Sequence, residues 1–331
     1  MWNKGDIMKR MVVSLLALLV LVGCSTSKDT QKVRFVLDWT PNTNHTGLYV
    51  ALEKGYFEEV GIALEIVQPP EDGAVGLVAA NGAEFGVGFQ DTLASVWARP
   101  EPLPVTAVAA MIQHNTSGIV SLKDKGIDRP SKMANHTYAT WDIPVEQAIL
   151  KYVMEQDGGS FDSVALIPNT VTDAVSALQS NIDAIWIYRG WDGIALDVAQ
   201  QEINYFAFAD YAKELDFYSP VVIANNEYLK ENPDQAKAFL AALGKGYQDA
   251  VANPEEAAQI LMKHVPELKS NEALIVESQK YLAGEYMRGE AQWGKFDANR
   301  WNAFYNWLGE KQLIEQPIPA GFGFTNEFLA S

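Results

Sequence analysis

The sequence predicts an α/β fold made of two doubly wound lobes that are joined by a two-segment hinge. Short apolar, β-branched runs alternate with segments of helical periodicity over 33–111, and the same alternation restarts over 136–208. Two extended apolar segments, 117–122 and 219–225, stand where the chain would leave the first unit and return to it. Strands that alternate with helices indicate parallel sheets with helices on both faces.

The individual elements follow in order from this alternation. In the first unit we expect strands at 33–37, 63–67, 84–87 and 105–111, and helices at 47–58, 73–80 and 91–98. In the second unit we expect strands at 136–139, 163–167, 184–188 and 205–208, and helices at 145–156, 173–180 and 190–200. From residue 227 onward the pattern is helical, and Pro233, Pro254 and Pro266 mark helix boundaries. We therefore assign 33–116 with 220–331 to lobe 1, and 117–219 to lobe 2.

The N-terminus has the layout of a lipoprotein export signal. Lys9 and Arg10 precede an apolar run at 11–22, which ends in Leu-Val-Gly-Cys at Cys24. The run is shorter than the roughly 20 apolar residues that a membrane span needs. We expect 1–23 to be a signal peptide, Cys24 to carry the lipid, and 24–32 to be a tether at the extracytoplasmic face of the cell membrane. The alternative is an ordinary cleaved signal that happens to contain a cysteine.

Composition excludes several function classes. The chain has 331 residues and is 48% hydrophobic, which is enough for a large core. Cys24 is its only cysteine, so the exported domain has no internal disulfide, thiolate metal site or further cysteine nucleophile. The net charge of -17 argues against nucleic-acid binding, because phosphates require an excess of Lys and Arg. No metal and no cofactor is expected.

Candidate ligand contacts lie in the loops that follow the strands, because open α/β sheets bind ligands beyond the carboxyl ends of their strands. The candidates are Asp38, Trp39, Asn42, His45, Phe89, Gln90, His114, Asn115, Trp141, Tyr188, Trp191 and Asp192. They combine aromatic faces with neutral or acidic hydrogen-bonding groups, and Arg189 is the one cation among these loops. This chemistry suits a flat, nitrogen-rich, neutral or weakly basic heterocycle better than a sulfonate or phosphate.

Several of these side chains also have purely structural interpretations. Trp39 and Trp141 would equally pack between the lobes, since an indole buries a large apolar area. His45 would cap the helix that it precedes. Asp38 would accept from a backbone amide in its turn, and Asp192 would favour the first turn of its helix through the macrodipole.

Four stretches carry a resemblance to a known family. They are LDWTPNTNHTGLYVA at 37–51, EKGYF at 53–57, IYRGWDGI at 187–194 and FTNEFL at 324–329. With these motifs the chain resembles the solute-binding lipoproteins related to fungal pyrimidine synthase, and within them the ThiY-like proteins. The first motif is long and specific, and the resemblance extends over the exported part of the chain.

The resemblance implies a bilobal type II periplasmic-binding fold that closes on its ligand and docks, as a monomer, on an ABC permease with its ATPase. The implied cargo is a thiamine pyrimidine precursor of the formylaminopyrimidine or hydroxymethylpyrimidine type. Carried over by position, Asp38, Trp39, Asn42, His45, Tyr188, Trp191 and Asp192 would line the pyrimidine site. The other candidates rest on loop position alone.

Two other functions compete with solute import. The fungal relative makes the pyrimidine, by iron-assisted chemistry that depends on a cysteine-rich segment, and a chain with Cys24 as its only cysteine lacks such a segment. We therefore expect a binding protein and no enzyme. The second alternative is a protein of the same fold that acts as an extracytoplasmic sensor, or that binds another solute such as riboflavin, an aromatic amine or a sulfonate.

Overall fold

The computed structural model describes residues 30–168 and 171–329, and this part of the chain contains two five-stranded sheets. In chain order the strands are β1 Gln31–Val36, β2 Ile62–Val67, β3 Phe85–Gly88, β4 Val105–Ala110, β5 Ser117–Leu122, β6 Thr137–Thr140, β7 Ala165–Pro168, β8 Ala184–Tyr188, β9 Ile203–Ala207 and β10 Val221–Asn225. The first sheet has the order β2-β1-β3-β10-β4, and the second has the order β7-β6-β8-β5-β9. The α/β class with two lobes is as the sequence predicts.

Both sheets are mixed, which corrects the expectation of purely parallel sheets. β1, β2 and β3 are parallel to one another, but β10 runs antiparallel to β3 and β4. In the second sheet β5 runs antiparallel to β8 and β9. β5 and β10 are the strands that enter from the other lobe. An antiparallel strand needs no helical crossover, so an extended connection between the lobes delivers it directly.

Twelve α-helices cover the sheets within the described ranges. They are α1 Thr46–Glu53, α2 Tyr56–Glu59, α3 Gly73–Ala79, α4 Gln90–Trp97, α5 Pro144–Gln156, α6 Ala174–Leu178, α7 Ile194–Val198, α8 Asn226–Glu231, α9 Pro233–Ala252, α10 Pro254–His264, α11 Glu272–Glu285 and α12 Ala298–Glu310. Pro233 and Pro254 begin α9 and α10, as predicted, because the first turn of a helix does not use the missing N–H.

Two helices differ from the sequence-based expectation. The helix expected at 47–58 is divided into α1 and α2 by Gly55, whose φ of 73° is left-handed and ends a helix. The helix expected at 190–200 begins with the π-helical turn Arg189–Gly193 and continues as α7. π-helical turns of this kind are rare and occur frequently at functional sites.

Aromatic side chains dominate the core of lobe 1. The ring of Phe85 in β3 stacks on Phe239 of α9 at 4.1 Å, and Phe35 of β1 lies 6.1 Å from the same ring. All three side chains are buried, and each contributes roughly 2 to 3 kcal/mol by leaving water. The ring of Trp307 in α12 lies 5.4 Å from Tyr152 of α5, so α12 also packs against lobe 2.

The predicted signal peptide and Cys24 lie outside the described residues. Over 30–168 and 171–329, no helix combines the length and apolarity needed to cross a bilayer. The same ranges contain no group of three or more His, Cys, Asp or Glu side chains that is placed to hold a metal ion.

Candidate ligand-binding cleft

A cleft with a volume of about 240 Å³ lies between the two sheets. The residues that line it are Asp38, Trp39, Asn42, Asn44, Phe89, Ile112, Thr116, Val171, Thr172, Tyr188, Gly190, Trp191, Asp192, Ser219, Pro220 and Leu282. Many of them follow the carboxyl ends of β1, β3 and β8, where open α/β sheets place their ligands. Both lobes and both connections between them contribute to the lining.

The loop after β1 is held in place by a tight 3₁₀ turn, Thr43–His45. Oδ1 of Asn42 accepts from the backbone N–H of Asn44 at 2.9 Å, which caps the turn. This turn brings Asp38, Trp39 and Asn42 to one wall of the cleft. Trp39 keeps 48% of its surface exposed, so its indole is available to a ligand and contributes little to the core.

His45 lies behind this wall instead of lining it, because its side chain is completely buried. Its Nδ1 accepts from the backbone N–H of Asn42 at 3.1 Å, so the ring proton is on Nε2. Nε2 therefore donates to Oδ1 of Asp38 at 2.7 Å. His45 therefore orients the Asp38 carboxylate, which lines the cleft. The sequence predicted a direct contact between His45 and the ligand, but the His45 side chain is not part of the lining.

The opposite wall comes from the π-helical turn Arg189–Gly193 and from Tyr188, which precedes it. Burial raises the pKa of the Asp192 carboxyl from 3.8 to about 6. Burial, together with the nearby carboxylate of Asp91, raises the pKa of Tyr188, so its phenol stays protonated. A carboxyl that takes up a proton near pH 6 has one donor and one acceptor to offer.

Aromatic rings and carboxyl groups give the cleft its chemical character. Trp39, Phe89, Tyr188 and Trp191 all line it, and the rings of Phe89 and Tyr188 lie 6.4 Å apart at an angle of 36°. Among the described lining residues, Asp38 and Asp192 are the only charged side chains. The cleft is thus flat-sided, apolar and acidic.

Arg189 does not bring a cation into the cleft, although it stands between two lining residues. Its Nη2 forms an ion pair with Asp197. The guanidinium carbon lies 6.0 Å from the ring centre of Tyr205 and 5.9 Å from that of Tyr281. The sequence had placed this positive charge beside the aromatic residues of the site, and the structure directs it away from them.

Gln90 and Asn115, which were predicted from loop position, also lie outside the lining, because their amides tie backbone segments together. Nε2 of Gln90 donates to the carbonyl of Trp301 at 2.9 Å, and its Oε1 accepts from the N–H of Tyr218 at 2.8 Å. Nδ2 of Asn115 donates to the carbonyl of Leu215 at 2.8 Å. Both side chains are buried and fully engaged.

His114 and Trp141 likewise lie away from the cleft lining. Nδ1 of His114 is 2.7 Å from Oδ2 of Asp216, in the segment that leads to β10. The ring of Trp141 lies 5.5 Å from that of Trp186, on the surface of lobe 2. Both side chains therefore interact with the protein, and Trp141 packs within lobe 2, not between the lobes as its structural interpretation had it.

Several lining residues were not among the sequence-based candidates. Thr116 and Ser219 lie in the two connections between the lobes, so the position of those connections was a usable signal. Leu282 comes from α11, far along the chain, and no local pattern marks it. Asn169 and Thr170, which follow β7 in the chain, fall outside the described residues.

Two α/β lobes around a shared cleft define the bilobal class of periplasmic solute-binding folds. One solved structure of this kind is the alkanesulfonate-binding protein SsuA from Xanthomonas axonopodis pv. citri bound to MOPS. It matches with a TM-score of 0.66 and 12% identity, over 90% of this chain and 98% of that chain. At this identity the similarity concerns the fold alone.

Within this class the chain belongs to the NMT1/THI5 like family, whose sequence profile matches residues 42–257. It is 30% identical to the formylaminopyrimidine-binding protein of Halalkalibacterium halodurans, over 96% of this chain and 98% of that protein. It is 24% identical to the 4-amino-5-hydroxymethyl-2-methylpyrimidine phosphate synthase THI5 of Saccharomyces cerevisiae, over 91% of this chain and 89% of that protein. The family resemblance drawn from 37–51 is thereby confirmed.

Proposed function

We propose that this chain is the solute-binding lipoprotein of an ABC importer and that it captures a thiamine pyrimidine precursor, of the formylaminopyrimidine or hydroxymethylpyrimidine type. The ligand is held between the two lobes and delivered to the permease, where the ATPase drives import into thiamine biosynthesis. The observation that carries the proposal is the lining of the cleft, in which Asp38 and Asp192 are the charged groups among aromatic walls.

The shape and the hydrogen-bonding groups of an aminopyrimidine complement the residues that line the cleft. Its ring is flat and fits between aromatic side chains such as Trp39 and Tyr188, each contact contributing about 0.5 to 1.5 kcal/mol beyond area burial. Its exocyclic amine is a donor, and the adjacent ring nitrogen is an acceptor. The protonated carboxyl of Asp192 offers the reverse pair, since its hydroxyl donates to the ring nitrogen and its carbonyl oxygen accepts from the amine. Asp38 accepts from a further donor of the ligand.

The proposal places the protein at the extracytoplasmic face of the cell membrane, anchored through the lipid on Cys24, as a monomer that acts without catalysis. Support comes from the signal layout before Cys24 and from the bilobal binding-protein fold. Support for binding over synthesis comes from the relative named as a formylaminopyrimidine-binding protein, which matches nearly the full length of the chain.

A thermal-shift and calorimetry series tests the proposal. The purified protein is titrated with formylaminopyrimidine, hydroxymethylpyrimidine, riboflavin and MOPS. We expect stabilisation by a pyrimidine of about 2.7 kcal/mol at a hundredfold excess over Kd, and none by MOPS. A shift with MOPS or riboflavin, together with none from either pyrimidine, would refute the proposed ligand.

Two matched variants locate the binding event. Trp39→Ala removes an exposed indole from the cleft, whereas Trp141→Ala removes a partly exposed indole that packs on Trp186 outside it. We expect the first to lose most of the ligand-induced shift and the second to keep it. Equal losses in the two variants would place the ligand elsewhere.

A further inference from the structure

The two walls of the cleft are connected by a buried chain of hydroxyl groups that passes through α11. Oγ of Ser278 in α11 donates to the carbonyl oxygen of Gly190 in the π-helical turn. Oγ1 of Thr43 lies 2.6 Å from Oγ of Ser278, and it is the donor of this bond because the Ser278 proton is already used. Ser278 and Thr43 are both buried, so water does not compete for these bonds.

Each end of this chain lies next to residues that line the cleft. Thr43 stands between Asn42 and Asn44 in the wall of lobe 1, and Gly190 stands beside Trp191 in the wall of lobe 2. Ser278 itself is not part of the lining. Its hydroxyl therefore touches the backbone of one wall and the side chain of the other without touching the ligand.

The contact between the π-helical turn and α11 is closest at Gly190, where the absence of a Cβ leaves room for α11. A Cβ added to Gly190 would lie 2.7 Å from Cδ2 of Leu282 and 3.3 Å from Cδ1 of Tyr281. A Cβ essentially never lies within 3.0 Å of another heavy atom, so a larger residue would displace either the buried Leu282 side chain or the turn, and a displaced turn would carry its carbonyl away from Ser278. Small size at this position is what allows the interlobe hydrogen bond.

On the lobe 1 side, the position of Thr43 is fixed independently of Ser278. The phenol of Tyr286 donates to the carbonyl of Thr43, and Oγ1 of Thr46 donates to the same oxygen at 3.0 Å. The Thr43 hydroxyl is thus presented on a rigid turn. The π-helical turn is the partner that can move, since it belongs to the other lobe and closure of such folds occurs between lobes.

We propose that Ser278 is a positioning residue that latches the lobes together and thereby sets how long the ligand stays bound. The hydrogen bond from Ser278 to Gly190 crosses between the lobes and forms only when the two walls are at the spacing that the ligand requires, whereas the bond from Thr43 lies within lobe 1 and orients the serine hydroxyl. We expect the latch to form in the ligand-free protein and to be reinforced by ligand. The identity of the ligand in this inference rests on the proposed function, whereas the hydrogen bonds of the latch are observed independently of it.

The test compares Ser278→Ala with Ser121→Ala in the full chain. Ser121 is an equally buried serine whose hydroxyl donates to the carbonyl of Ile127 at 2.9 Å within lobe 2, so it controls for loss of a buried hydroxyl. Binding of formylaminopyrimidine is followed by tryptophan fluorescence, because Trp39 and Trp191 line the cleft. We expect Ser278→Ala to release the ligand about tenfold faster, with little change in the association rate.

Gly190→Ala provides a second route to the same outcome, since it displaces the turn while leaving every hydroxyl in place. It should also release the ligand faster. A dissociation rate for Ser278→Ala within twofold of that for Ser121→Ala would overturn the latch. A fall in the melting temperature of Ser278→Ala beyond that of Ser121→Ala, without faster release, would likewise assign Ser278 to folding alone.

Amide hydrogen exchange of the ligand-free protein separates this inference from the proposed function. We expect peptides that cover 188–198 to exchange faster in Ser278→Ala than in Ser121→Ala or the unaltered chain. If the unaltered chain does not bind the pyrimidine, the proposed function fails, and the exchange result still decides the latch. Equal exchange in the two variants would overturn it.

Discussion

Replacing Asp192 with asparagine should stabilise the ligand-free protein at neutral pH. Burial raises the pKa of this carboxyl from 3.8 to about 6, so its ionised form is less stable in the folded protein than in the unfolded chain. For an acid whose folded pKa is raised, stability is fully present below about pH 4 and is lost as the pH rises through about 6. Asparagine has the same shape and no charge, so it avoids this loss.

The size of the gain follows from the same pKa. A rise from 3.8 to about 6 corresponds to roughly 3 kcal/mol when the group is fully ionised. Asp192 is only partly buried by its exposed area and lines an open cleft, which reduces this penalty, so we expect Asp192→Asn to raise the free energy of unfolding by about 1 to 3 kcal/mol at pH 8. At pH 4 the variant and the unaltered protein should be equally stable.

The same substitution makes a distinctive prediction for ligand binding. An asparagine amide presents one donor and one acceptor, as a protonated carboxyl does, and it forms such a bidentate pair with adenine in DNA complexes. Asp192→Asn should therefore bind the aminopyrimidine with an affinity that does not vary with pH. In the unaltered protein binding takes up a proton above about pH 6, so the affinity should fall about tenfold per pH unit.

Denaturant unfolding and calorimetry at pH 5 and pH 8 measure both effects, with Asp91→Asn as the control. Burial also raises the pKa of Asp91 to about 6, but Asp91 does not line the cleft. Asp91→Asn should gain stability and keep the pH dependence of binding, and its gain is smaller because Asp91 also favours the first turn of α4. If Asp192→Asn is no more stable at pH 8, or its affinity falls with pH in parallel with the unaltered protein, the reasoning is refuted.

Three further substitutions test the site and the fold. Trp39→Ala should weaken ligand binding about tenfold in calorimetry and leave the melting temperature nearly unchanged, because the indole is half-exposed. Glu146→Ala leaves the buried phenol of Tyr138 without its acceptor, 2.6 Å away, and should cost about 2 to 4 kcal/mol in denaturant unfolding. The Arg129 guanidinium holds the pKa of Asp157 well below its usual range, so Asp157→Asn should lower the melting temperature at pH 7, by an amount that is constant down to about pH 4 and declines as the pH falls from there through the lowered pKa.

Local patterns were enough to predict the two-lobed fold and seven of the sixteen residues that line the cleft. Hydrophobic periodicity depends on neighbours in sequence, and the rule that ligands lie beyond strand ends converts strand positions into loop positions. Asp38, Trp39, Asn42, Phe89, Tyr188, Trp191 and Asp192 were all selected in this way, and all of them line the cleft. The helix boundaries at Pro233 and Pro254 were equally local.

Contacts between residues that are distant in sequence determine the features that local patterns did not predict. The direction of β5 and β10 depends on which lobe each strand enters from, and no periodicity encodes that direction. Leu282 reaches the cleft because α11 docks against the π-helical turn. His45 follows β1 as the other loop residues do, but a hydrogen bond from the backbone of Asn42 turns its ring inward.

The raised pKa of Asp192 also predicts which ligand charge the cleft favours. The environment of that carboxyl disfavours its negative charge by up to roughly 3 kcal/mol, and protonation of the carboxyl removes this penalty. A sulfonate remains ionised at any pH that the protein tolerates, so protonation cannot remove the corresponding penalty for a sulfonate. Arg189, which follows Tyr188 in the chain, is paired with Asp197 and does not line the cleft. Burial that penalises an ionised carboxyl also penalises a bound anion, so we expect the placement of a few side chains on a shared fold to favour a neutral heterocycle here.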